Sequence, residues 1–189
     1  MKRSLQALLL VLLLLVPMTV LGEATPLPYG LALGMDQKEA QAAFAADETL
    51  ADIKPDFQDY GNGVLEYVFP NVPVPGTDLI AEYLTVQIDT NNSQRAERLS
   101  MISLELDAGK NSIQSFRKAL GGLSKALGQP ESDPFGEQSV QGYVEWGTVY
   151  ANWAKPDVRI ALTLNRMYEE SVMLQYTSRI NYDAADLAE

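Results

Sequence analysis

The 189-residue chain carries 14 Lys+Arg against 25 Asp+Glu, a formal net charge of −11 at pH 7, and has neither cysteine nor histidine. That composition excludes disulfides, thiolate chemistry, Ser-His-Asp and Cys-His nucleophiles, and zinc sites built on His or Cys. The acidic field repels nucleic acid and anionic membrane surfaces, so neither is expected as a partner.

The first element is a targeting segment. Met1-Lys2-Arg3 is basic, and Leu5 to Val16 is an apolar, leucine-dominated run broken only by Gln6. Pro17 and then Met18-Thr19-Val20-Leu21-Gly22-Glu23-Ala24 follow. This is the order of n-region, h-region and small-residue cleavage zone in a secretory signal peptide, so residues 1–24 are expected to be removed after Gly22 or after Ala24. The run is too short for a spanning helix, which needs about 20 apolar residues. Its removal takes away Lys2, Arg3 and Glu23 and leaves a more acidic chain with no stable membrane anchor. The remainder is long enough for one domain with its own core. An exported domain of this length without cysteine fits a bacterial periplasmic or extracellular location.

Thr25 to Tyr29 reads as an extended entry. A helix is expected from Asp36 to about Ala46, with Asp36 as N-cap, Glu39 completing a capping box, and Met35 and Ala40 placed as a hydrophobic staple. Residues 47–63 read as a polar connection ending in the turn Gly61-Asn62-Gly63. Val64–Phe69 alternates as a strand, with Leu65, Tyr67 and Phe69 on one face. Pro70–Gly76 reads as a loop, because its three prolines each lack a donor. In Ile80–Asp89, Leu84, Val86 and Ile88 oppose Tyr83, Thr85 and Gln87. In Arg98–Asp107, Ile102, Leu104 and Leu106 oppose Ser103 and Glu105. Such alternation predicts antiparallel strands with one buried face. Between them, Asn91-Asn92-Ser93 matches a glycosylation sequon but reads as a polar turn.

The second helix is marked by Ile113, Phe116, Leu120, Leu123 and Leu127 at steps of three and four. Asn111 or Ser112 caps its start, and Gly128 and Pro130 stop it. Gly121-Gly122 predicts a close approach to the sheet. A hairpin is expected next, with Val140–Trp146 and Val149–Ala154 joined at Gly147-Thr148 and both Trp146 and Trp153 facing inward. Val158, Ile160, Leu162 and Leu164 predict one more strand, and Val172, Leu174 and Tyr176 the last. The expected fold class is therefore α+β: two diverged helix-plus-antiparallel-sheet units in the order helix, three strands, helix, four strands. The halves, about 30–107 and 108–178, pack as one compact domain over 25–180, with an acidic tail at 181–189.

Two stretches resemble a family pattern. Leu33-Gly34-Met35-Asp36-Gln37-Lys38-Glu39-Ala40 is similar to the Gly-Met-Thr/Ser-x-x-Glu-Val helix opening of the small outer-membrane-assembly lipoproteins of SmpA/OmlA type. Asp36 stands at the place of their hydroxyl cap. Leu127-Gly128-Gln129-Pro130 is similar to the Leu-Gly-x-Pro that closes a helix in the same proteins. The repeated helix-then-strands order also resembles the tandem architecture of the beta-lactamase-inhibitor protein. The chain departs from these families in having no lipobox cysteine and no disulfides. The resemblance implies an envelope or secreted module that binds protein or peptide.

Few residues are set out for catalysis. Gly121-Gly122 lies within a helix pattern and is followed by no P-loop lysine-hydroxyl pair, and no aspartate-rich calcium loop is present. Asp52, Asp56, Asp59 and Glu66 cluster in sequence, but nothing sets two of them at the separation a glycosidase uses. Ser124 and Lys125, as helix neighbours, do not face each other. No enzyme activity, cofactor or metal is expected. The favoured binding surface is the outer face of the last strands: Tyr143, Tyr150 and Asn152, joined by Arg159, Thr163, Met173 and Gln175, which are residue types suited to interfaces. The expected function is an exported, non-catalytic binding module with a protein or peptide partner. The alternatives are an inhibitor of a secreted or envelope enzyme, using the proline-rich segment 70–76 as a plug, and a carboxylate-dependent hydrolase. Nothing in the sequence signals an oligomeric state.

Overall fold

The computed structural model describes residues 25–90, 98–106, 112–131, 147–165 and 170–179. The signal segment, the Asn91–Ser93 turn, Asn111, the Val140–Trp146 strand with Tyr143 and Trp146, and the acidic tail lie outside them.

Among the described residues two α-helices and seven strands make a mixed α+β fold in which one antiparallel sheet dominates. The elements run α1 (Gln37–Ala46), β1 (Asp56–Asp59), β2 (Val64–Pro73), β3 (Ile80–Asp89), β4 (Arg98–Leu106), α2 (Ser112–Leu127), β5 (Thr148–Ala154), β6 (Val158–Asn165) and β7 (Ser171–Ser178). The sheet order is β1-β2-β3-β4-β7-β6-β5, so two meanders meet where β4 pairs with β7. Among the described residues the strands divide four before α2 and three after it.

Each helix starts and stops for reasons visible in its sequence. The Asp36 carboxylate accepts from the Glu39 N–H at 2.8 Å, and the Glu39 carboxylate accepts from the Asp36 N–H at 3.0 Å, the reciprocal pair of a capping box. Phe44 carries α1 onto the sheet, its ring meeting Tyr67 and Phe69 at centroid distances of 5.3 and 4.9 Å. In α2, Phe116, Ala119 and Leu123 are buried, with Ile113, Leu120 and Leu127 half-covered beside them. Ser112 is buried at the start of this helix and gives its hydroxyl to the Glu170 carboxylate. Gly128, at φ +89°, ends the helix by donating to the Ser124 carbonyl.

One face of the sheet is apolar across its whole width. In register, Trp153, Ile160, Tyr176, Ile102, Val86, Tyr67 and Phe57 form a single row through all seven strands. All but Phe57, on the short β1, are buried, and both helices join the same core. The Trp153 ring N–H donates to the Gly128 carbonyl at 2.8 Å, and Lys155 Nζ to the Leu127 carbonyl at 3.1 Å. These bonds satisfy the free carbonyls at the end of α2 and place a cation at its negative pole.

The structure corrects three expectations. Residues 47–63 contain the strand β1, whose four residues are all exposed. An edge strand with no buried side carries no period-2 signal. Pro70–Pro73 is not a loop but the end of β2, with Pro70, Val72 and Pro73 opposite Tyr83, Ala81 and Ile80. Between them Asn71 adopts φ +54°, and the pairing of β3 with β4 slips between Ala81 and Tyr83. The inward phase therefore jumps from Phe69 to Val72 on β2 and from Ala81 to Leu84 on β3, as an extra residue in a strand requires. Finally, the close approach of the glycine pair is to the β2–β3 turn rather than to the sheet. A Cβ on Gly122 would sit 2.8 Å from the Gly76 carbonyl oxygen, whereas Gly121 faces open space.

Candidate functional site: the sheet face opposite the helices

The face opposite the helices holds the alternate residues of every strand. Tyr150, Asn152, Arg159, Thr163, Met173 and Gln175 all lie on it, brought together by the β5–β6 and β6–β7 registers. Tyr150 is exposed; Asn152, Arg159, Met173 and Gln175 are half-buried. Tyr143 lies outside the described residues.

The pairing of β4 with β7 extends this set into the first half of the chain. Tyr150, Thr163, Met173, Glu105 and Tyr83 stand in one row across five strands. At the usual strand spacing that row is about 19 Å long. Both of its ends are exposed tyrosines. Beyond Tyr83 the phase slip turns Pro70, Asn71, Pro73, Ile80 and Glu82 outward as well, with Ile80 half-exposed at 50 %. The second row runs Asn152, Ala161, Gln175, Ser103, Thr85 and Val68.

Ser103 lies at the middle of the second row. It is buried, and among the described residues its Oγ has no hydrogen-bond partner. Its same-face neighbours along β4 are Met101 and Glu105, and across the strands Thr85 and Gln175. Gln175 gives its amide N–H to the Met101 sulfur at 3.7 Å instead. A buried hydroxyl without a partner is uncommon, because it has lost water and gained nothing in return.

The face is acidic. Among the described residues it presents Asp56, Glu66, Glu82, Asp89 and Glu105 against Arg98 and Arg159. Tyr60 adds a third exposed tyrosine at the β1 end, donating to Gln58 at 2.6 Å with the Glu66 carboxylate at 3.1 Å. The hydrogen bond to Glu66, more than desolvation or the Glu66 charge, pushes the Tyr60 phenol above its ordinary range.

The carboxylates singled out in the sequence serve local structure. Asp59 accepts from the Gly61 N–H at 2.9 Å, and Glu66 faces Tyr60. Asp52, Asp56 and Asp59 are exposed. Among the described residues no three acidic side chains gather where a cation would be held. The proline segment is pinned rather than protruding, since Val72 and Val74 are buried and the Pro73 carbonyl accepts from the Tyr29 hydroxyl at 2.7 Å.

Sequence reasoning confined the surface to the last strands and so missed Tyr83, Glu105 and Ser103. Their outward phase was readable from alternation. The missing information was that β4 and β7 are neighbours, a contact between residues about seventy apart in the chain.

No family model matches the chain, and no curated protein or solved structure matches it. Among the described residues no helix is long and apolar enough to cross a membrane.

Proposed function

We propose that the protein is an exported, non-catalytic binding module of the bacterial envelope or secreted fraction, and that the sheet face opposite the helices holds a cationic peptide or protein segment. The observation that carries this reading is the row Tyr150–Thr163–Met173–Glu105–Tyr83 with the unpartnered Ser103 hydroxyl beside it. Tyrosine supplies contact area at modest entropic expense, methionine an adaptable apolar surface, and a polar group at the centre awaits a partner. The acidic surround favours a Lys- or Arg-bearing ligand and speeds its approach. The absence of histidine and cysteine removes the commoner catalytic alternatives.

The fold also supports the reading of two diverged units. Each half sets a helix before an antiparallel meander, and the last strands of the two meanders, β4 and β7, lie side by side and antiparallel. That arrangement is what duplication about a two-fold axis would give. The resemblance of the Gly34–Ala40 and Leu127–Pro130 motifs to envelope-assembly modules points the same way on function.

The test is a titration of isotope-labelled protein with short lysine- and arginine-rich peptides and their glutamate counterparts, followed by NMR. Basic peptides are expected to shift residues of β4, β6 and β7 on the face opposite the helices, more weakly as salt is raised. Equal response to acidic peptides, or shifts confined to the helical side, would remove this function.

A further inference from the structure

Thr25, the first described residue, is fastened to the turn between β5 and β6. Its backbone N–H donates to Asp157 Oδ2 at 3.0 Å, and its hydroxyl donates to Asp157 Oδ1 at 2.5 Å. Both oxygens of one carboxylate are thus taken by one residue, 132 positions away in sequence. From there the chain runs inward as a strap. Leu27, Tyr29 and Leu31 are buried, and Tyr29, held at φ +60°, reaches the Pro73 carbonyl at the far end of β2. The neighbouring cations are turned towards carbonyls: Lys155 Nζ, in the same turn, to Leu127, and the Arg179 guanidinium, just after β7, to Lys155. The Arg179 N–H donates to the Asp157 main-chain carbonyl at 3.1 Å, while Thr25 takes the Asp157 carboxylate.

We propose that a signal peptidase hydrolyses the Ala24–Thr25 bond and that Asp157 is the receptor for the α-ammonium this creates. The proposal rests on the export reading above and chooses between the two cleavage points the sequence leaves open. Water adds its hydroxyl to the Ala24 carbonyl carbon, the C–N bond breaks, and the Thr25 nitrogen leaves as an amine. An α-amino group has a pKa of about 8, so it is protonated at neutral pH. The nitrogen that donates one neutral N–H at 3.0 Å then becomes a cation with three donors at the same place. Two opposite charges at this distance add a Coulombic attraction that the neutral N–H lacks. Gly22-Glu23-Ala24 sets small residues at the third and first positions before this bond, the pattern a signal peptidase reads. A chain beginning at Glu23 would keep a neutral amide against Asp157 and add a carboxylate two residues away. Partial burial raises the Asp157 pKa, but the hydrogen bonds from Thr25 outweigh it and hold the carboxyl below its ordinary value. That site already favours a negative charge. Chain termini fray unless something holds them, and this carboxylate is placed to do so.

The test has two arms. The full chain is exported from a bacterial host, and the first residue of the exported protein is read by Edman degradation and intact mass. Thr25 is expected. Glu23, or any other internal start, overturns the assignment while leaving export standing; an intact Met1 overturns export and the assignment together. In the second arm, proteins starting at Thr25 and at Glu23 are prepared from a fusion cut without residual residues. They are melted with and without Asp157→Asn. The Thr25 form is expected to melt higher by about 2–4 °C, and Asp157→Asn should erase the difference. Equal melting, or a difference that survives the substitution, overturns the proposal. Should the variant fail to fold, NMR titration of the wild-type Thr25 α-ammonium decides: a pKa above about 8 supports the pairing and a value at or below it refutes it.

Discussion

Gly122 lies directly beneath Thr77: a Cβ built on the glycine would stand 2.7 Å from the Thr77 methyl and 2.8 Å from the Gly76 carbonyl oxygen. This contact locks the middle of α2 to the turn between β2 and β3, because only a hydrogen fits there. Gly121, one residue earlier, meets nothing within 4 Å. The two glycines therefore predict opposite signs. Gly121→Ala should stabilise by up to about 1 kcal/mol, the helix-propensity difference. Gly122→Ala should destabilise by about 1–2 kcal/mol, because overpacking of about 1–3 kcal/mol outweighs the same helical gain. Urea unfolding of both variants checks it, and similar midpoints for the two would refute the close approach.

Trp153 joins β5 to the end of α2. It is 2 % exposed, and its ring N–H meets the Gly128 carbonyl at 2.8 Å. Trp153→Ala should destabilise by about 3–5 kcal/mol through lost burial and the cavity left behind. Trp153→Phe keeps most of the ring volume but removes the donor to the Gly128 carbonyl, which is exposed enough for water to replace it, at about 0.5–1.5 kcal/mol. A phenylalanine variant with wild-type stability would mean that the hydrogen bond contributes nothing.

Two buried tyrosines set an alkaline limit. Burial pushes the Tyr176 phenol up to about 12. Burial, then the neighbouring Tyr176 and Asp47, raises Tyr29 as well. Both are neutral in the folded chain and ionise near their ordinary value of about 10 once unfolded. Their folded pKa values are raised, so the stability they contribute is complete below pH 10 and is lost as the pH climbs from 10 towards 12. Tyr176→Phe should flatten that loss. Denaturant midpoints measured between pH 8 and 11.5 give the comparison, and parallel curves for wild type and variant would contradict it.

Much of this architecture was legible because local chemistry and tertiary burial agree. The Asp36–Glu39 box, the Phe116–Leu123 stripe and the alternation of Ile160, Leu162 and Leu164 each point to the element in which the structure places them. The failures share a cause: the deciding contact is a backbone pairing that the side-chain pattern does not record. β1 exposes all four residues and exists because Leu65–Val68 offers it a partner. The prolines of β2 are tolerated where Asn71 adopts a left-handed conformation and the phase slips, and Asn71 alone does not announce this. The outer face was half-read for the same reason, since Tyr83 and Glu105 join Met173 only through the pairing of the two meanders. Trp153 faces inward as expected, while its expected partner Trp146 lies outside the described residues.

The sharpest separation of fold from binding is at Ser103 and Tyr150. Ser103 Oγ is buried and unpartnered, so in the free protein it is a liability of about 1–3 kcal/mol. Removing it with Ser103→Ala should leave the fold as stable or raise its stability by roughly 1 kcal/mol, after a few tenths are lost to the weaker strand preference of alanine. If the hydroxyl awaits a ligand group, the same variant should bind basic peptide about fivefold more weakly, a loss of the size of one neutral hydrogen bond. Tyr150→Ser should likewise leave the melting temperature unchanged, because Tyr150 is 54 % exposed and fills no core space. It should reduce affinity by tenfold or more if the aromatic end of the row anchors the ligand. Calorimetric titration beside thermal melts reads both quantities from the same samples. A Ser103→Ala variant that is clearly less stable would mean the hydroxyl is satisfied in the folded protein. A Tyr150→Ser variant that melts and binds as the wild type does would leave the sheet face an ordinary solvated surface.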